Sequence, residues 1–77
     1  MAKKLHPADL RDQARIAAAV AFNVHFRKGP AEAYNEPAAS LSDARMVKAR
    51  MDAEHGRYGR RAMIYAISDT GISTPVP

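Results

Sequence analysis

Residues 14–26 run Ala-Arg-Ile-Ala-Ala-Ala-Val-Ala-Phe-Asn-Val-His-Phe, and how they are read decides how many helices and strands the chain holds. Alanine is the best helix former, so the run Ala14–Ala21 predicts the body of a helix. Pro7 suits a first helical position, and Asp9 and Asp12 lie where a helix N-terminus favours negative charge. The expected helix starts at Pro7 or Ala8 and extends to about His25. At about 100° per residue, Leu10, Ala14, Ile16, Ala17, Val20, Ala21 and Val24 then gather on one core-facing side. The opposite side holds Arg11 and Arg15 together with Phe22 and Phe26, one turn apart. Arg27-Lys28-Gly29-Pro30 reads as the stop, with cations on the C-terminal dipole followed by two breakers.

Downstream, Ala31–Ala39 is compatible with a loop or with a short strand around Tyr34, which Pro37 restricts to a sheet edge. Ser40 opens a second helix, spaced from Asp43 as in a capping box. That helix is expected to end at His55, before Gly56. Ala44, Val47 and Met51 form its apolar stripe, with Leu41 at its start; Lys48 with Asp52 and Arg50 with Glu54 are possible i,i+4 pairs. Arg61–Ser68 is the clearest strand. Both of its alternating faces are apolar, which predicts a central strand covered on two sides. Ser68-Asp69-Thr70-Gly71 reads as a tight turn and Ile72–Val76 as an edge strand carrying Pro75. The fold class is therefore α+β: two helices with a small antiparallel sheet, in the order α-β-α-β-β.

With 77 residues the chain makes a single domain, residues 1–6 forming a flexible tail. So small a core leaves a net stability of about a few kcal/mol. There is no cysteine, which removes disulfides, thiolate chemistry and Cys-ligated zinc, and fits a cytoplasmic setting. Lys3 and Lys4 are followed by no continuous apolar run, so neither an export signal nor a membrane span is expected. The formal net charge is +4, and eight of the twelve cations are arginine. That balance permits a nucleic-acid or acidic-protein partner and equally serves solubility.

His6, His25 and His55 fall in separate segments without metal-ligand spacing, and the serines are accounted for by helix starts and turns. No catalytic, metal or cofactor site is expected. Two features remain. In Gly56-Arg57-Tyr58-Gly59-Arg60-Arg61, three guanidinium groups flank one aromatic ring, a chemistry suited to phosphate and base. If Arg27 and Lys28 lie nearby, the patch gains two more charges. Phe22 and Phe26, with Arg15 beside them, offer an exposed apolar patch of the kind that marks an interface.

Arg27-Lys28-Gly29-Pro30, Ser40–Arg45 and Ala53–Ile67 together resemble segments of small proteins from high-GC bacteria and their phages. In size and lack of catalytic groups the chain is also similar to phage counter-defence proteins, anti-CRISPR inhibitors among them. That resemblance implies action by docking on a host complex. The leading expectation is a non-enzymatic protein-interaction module, homodimeric, working through Phe22 and Phe26 or a free sheet edge. The alternative is a basic nucleic-acid-binding protein using Arg57, Tyr58, Arg60 and Arg61 with Arg27 and Lys28.

Overall fold

A computed structural model describes residues 6–57 and 59–77. The element order is α1 (Pro7–Ala17), β1 (Ala21–Arg27), β2 (Ala33–Ala38), α2 (Leu41–His55), β3 (Met63–Ile67) and β4 (Ser73–Val76). The α+β class stands, as two helices and a four-stranded antiparallel sheet ordered β2-β1-β3-β4. The strand order along the chain needs correction: α-β-β-α-β-β replaces α-β-α-β-β, because the opening helix is shorter than its alanine content suggested.

Pro7 occupies the first turn of α1, and the His6 ring accepts from the Ala8 N–H at 3.1 Å. His6 is thus the N-cap rather than part of a tail; the rest of that expected tail, residues 1–5, lies outside the described residues. The helix stops at Ala17. By Val20 the backbone N–H already donates to the Ile67 carbonyl at 3.0 Å, so the sheet ladder has replaced the helical one. From there Phe22, Val24 and Phe26 alternate with Asn23 and His25. Aromatic and β-branched side chains at period two suit a half-covered strand better than a helix.

Phe22, Val24 and Phe26 are 8%, 0% and 1% exposed and form the core with Ala44 and Met51 of α2, Ile64 and Ala66 of β3, and Ala62. The expectation that Phe22 and Phe26 form a docking surface is therefore corrected. A spacing of four places the pair on one side of a helix and equally on one side of a strand. The strand puts Val24 between them and turns all three inward. Arg15 stays exposed in the last turn of α1, away from any phenylalanine patch. The argument for a dimer built on two apolar sides of one long helix falls with that helix.

Both helices lie on one face of the sheet. The second packs on β1, β2 and β3, while the first reaches β3 and β4 and sends Ile16 against the same core. No residue of α1 is fully buried. β3 is central, as expected, but covered on one side only: Ile64 and Ala66 are buried, whereas Met63 is 46% exposed. Two short helices supply one layer, and nothing in the described chain supplies another. β2 realises the strand alternative for the segment around Tyr34 and is an edge, and β4 is the other edge. Gly71 closes the β3–β4 turn at φ +86°, a conformation that glycine adopts without strain.

The second helix matches its reading closely. The Ser40 hydroxyl accepts from the Asp43 N–H at 3.1 Å, and Lys48 Nζ lies 2.6 Å from Asp52 Oδ2. Arg50, however, pairs with Glu36 of β2 and not with Glu54, because the helix lies across that edge strand. Among the described residues, no helix is long and apolar enough to cross a membrane.

Candidate nucleic-acid interface

β1 ends at Arg27 and β3 begins at Met63, so antiparallel pairing brings two loops to the same end of the sheet. One is Lys28–Glu32, where the Lys28 and Gly29 N–H groups both donate to the Glu32 carbonyl. Arg27-Lys28-Gly29-Pro30 thus starts a strand-to-strand loop rather than ending a helix. The other loop joins α2 to β3 and carries Arg57, Arg60 and Arg61.

The two loops are tied to each other. The Arg60 guanidinium donates to the Lys28 carbonyl, the Arg27 guanidinium to the Pro30 carbonyl at 3.2 Å, and that of Arg61 to the Arg60 carbonyl at 2.8 Å. Around them lie two open depressions. Arg27, Gly29, Pro30, Arg60 and Arg61 line one of about 350 Å³, and Phe26, Lys28, His55, Arg57 and Arg60 line one of about 220 Å³. Arg60 belongs to both, which makes the cations one cluster. Tyr58, read as its aromatic member, lies outside the described residues. Two other rings stand there instead: Tyr34 and His55 stack at 4.9 Å, with Lys28 Nζ 5.7 Å from the Tyr34 ring centre.

The charge balance of this end is one-sided. Glu32 lies 3.9 Å from Lys28, and Glu54 lies 3.6 Å from the His55 ring. Among the described residues, no carboxylate pairs with Arg27, Arg57, Arg60 or Arg61. The guanidinium groups of Arg27, Arg60 and Arg61 bond to neutral carbonyls, and those of Arg27 and Arg60 keep their charge available to an outside anion.

Asp52 anchors the α2–β3 loop. Its Oδ1 accepts from the Ala62 N–H at 2.6 Å, while Oδ2 holds Lys48. Burial alone would raise this carboxyl's pKa. The Lys48 and Ala62 hydrogen bonds and the charges of Lys48 and Arg61 outweigh it and hold the carboxyl below its ordinary value. The carboxylate thereby fixes the chain directly after Arg60 and Arg61. Gly56, where the same loop leaves the helix, has no room for a side chain: a Cβ there would run into the Asp52 carbonyl.

The uncovered face of the sheet holds a second polar constellation that was not legible as a site in the sequence. Asn35 Oδ1 accepts from Asn23 Nδ2 at 3.0 Å and meets His25 Nδ1 at 2.9 Å, and the His25 and Tyr65 rings sit edge to face at 6.4 Å. The signal was the Phe-Asn-Val-His-Phe alternation, which, read as a strand, sends Asn23 and His25 to the side away from the core. Ser73 borders the same depression as His25. The register nonetheless sets them two strands and four residues apart, about 16 Å from the usual strand spacings, so they form no hydroxyl–imidazole pair.

Neither protein-family models nor curated proteins nor solved structures give a match to this chain.

Proposed function

We propose that this chain is a small basic nucleic-acid-binding protein that grips the phosphate backbone with the arginine end of its sheet. The observation that carries the proposal is the convergence of Arg27, Arg57, Arg60 and Arg61 around two joined depressions, with no carboxylate paired to any of them among the described residues. Guanidinium groups present forked donors matched to phosphate oxygens. Where such groups serve only solubility, they are ordinarily interspersed with acids.

The competing proposal, a protein-interaction module, keeps the resemblance to phage counter-defence proteins and the two free sheet edges. Each edge strand carries a proline, Pro37 or Pro75, which lacks the backbone donor that strand addition uses. With Phe22 and Phe26 buried, this reading has lost the surface on which it was built.

Fluorescence anisotropy with labelled DNA and RNA across a salt series tests the proposal. Four phosphate contacts correspond to a slope of log affinity against log salt of about −2.8 to −3.6. Replacing both Arg60 and Arg61 by alanine is expected to remove about half of that slope, each lost contact accounting for about 0.7–0.9. No binding at low salt, or binding indifferent to that double substitution, refutes it.

A further inference from the structure

We propose that the uncovered face of the sheet receives unpaired nucleobases, so that the ligand is a single strand rather than a duplex; this deepens the nucleic-acid reading above and rests on it. The face is continuous with the arginine cluster. Strand alternation places Arg27 on the same side of β1 as Asn23 and His25, and Arg27 also lines the depression shared with Arg60 and Arg61. A strand whose phosphates lie at that end therefore has the sheet face as its continuation, with Asn23 about 13 Å from Arg27 along β1.

Charge and chemistry suit the same occupant. The positions paired on this face, from Ala33, Asn35 and Pro37 on β2 to Ser73 and Pro75 on β4, include no aspartate or glutamate, and the nearest strand acid, Glu36, points to the helix side and pairs with Arg50. Tyr65 and His25 offer ring surface on the two central strands. Beside them lies an open depression of about 300 Å³. Asn35 Oδ1 is taken by two neighbours. That leaves Asn23 Oδ1, Asn35 Nδ2 and His25 Nε2 without a protein partner among the described residues. Two acceptors and a donor beside aromatic rings match the exposed edge and flat face of an unstacked base. A duplex hides the flat face and the Watson–Crick edge, and a broad four-stranded sheet face does not enter its grooves to reach the edges left there.

The test compares a labelled mixed-sequence oligonucleotide of about 12 nucleotides, single-stranded and as a duplex, by anisotropy and by NMR of the side-chain amides. Side-chain amide pairs arise from Asn23, Asn35 and Gln13 alone; the two asparagine pairs report on this face in the unaltered protein, and that of Gln13 on α1 serves as the reference. The single strand is expected to bind at least about tenfold more tightly and to shift both asparagine pairs, and Tyr65→Ser to weaken it by about 5- to 150-fold, as for one lost base stack, with the duplex unaffected. His25→Ala, on the neighbouring central strand, gives the same pattern if Tyr65→Ser does not fold. Equal binding of strand and duplex, lowered by the Arg60/Arg61 double substitution and untouched by Tyr65→Ser or His25→Ala, overturns this inference and leaves the proposed function standing. Binding of neither overturns both. Amide shifts that follow protein dilution instead of added oligonucleotide show a second copy on the face and overturn the inference as well.

Discussion

Replacing Asp52 by alanine separates two roles that one carboxylate plays at the root of the arginine loop. Its Oδ2 pairs with Lys48, whose side chain is 35% exposed, and its Oδ1 holds the N–H of Ala62, which is 2% exposed. An i,i+4 ion pair on a helix surface contributes about 0.3–0.5 kcal/mol. A hydrogen bond to a charged acceptor contributes about 1.5–3 kcal/mol, and losing it leaves a buried donor without a partner. Asp52→Ala is therefore expected to cost about 2–3 kcal/mol, and Lys48→Ala about 0.5 kcal/mol or less. For a domain of this size each kcal/mol moves the melting temperature by about 4–8 °C. Thermal unfolding followed by circular dichroism at pH 7 should then show a drop of roughly 10–20 °C for Asp52→Ala and only about 1–4 °C for Lys48→Ala. The pH dependence carries its own sign. The folded pKa of Asp52 lies below the ordinary aspartate value, so its contribution is complete above that value and disappears as pH falls through the depressed one. The gap between wild type and Asp52→Ala should stay level from neutral pH down to the ordinary aspartate range and close only below it. Equal melting shifts for the two variants would show that the ion pair carries the whole effect and would refute the anchoring argument.

Phe26→Ala is expected to cost about 3–5 kcal/mol, a large part of the stability available to a domain whose total at 77 residues is about 4–12 kcal/mol. The variant should show little cooperative unfolding where Phe26→Leu still melts, and a wild-type-like melt for Phe26→Ala would return that ring to the surface. Gly56→Ala should lower the urea midpoint by the equivalent of about 1–3 kcal/mol, since the new Cβ meets the Asp52 carbonyl; an unchanged midpoint would show that the helix end yields without cost.

Local rules carried the second half of the chain. Ser40 and Gly56 bound α2, its apolar stripe at Ala44, Val47 and Met51 faces the core, and β3, the turn at Gly71 and β4 follow in order. Capping geometry, glycine sterics and side-chain alternation act over a few residues, so the sequence displays them directly. The arginine residues of the candidate interface were visible for the same reason, being contiguous or nearly so. Their junction with Arg27 and Lys28 was not, since it depends on β1 and β3 lying side by side.

The stretch 18–26 shows where local reading ends. Alanine and valine there satisfy helical and extended conformations at nearly equal local free energy, and helix propensities of a few tenths of a kcal/mol per residue decide little against burial of two phenylalanines. Composition and spacing settled the class of the protein, the second helix, the C-terminal hairpin and the inventory of cations. Tertiary packing alone decided that Phe22, Val24 and Phe26 close the core from a central strand, that Asn23 and His25 meet Asn35 and Tyr65 on the bare side of the sheet, and that two distant loops share one charged end. The physical reason is that pairing across strands is a long-range contact, chosen by which arrangement removes the most apolar surface from water rather than by any preference written in neighbouring residues.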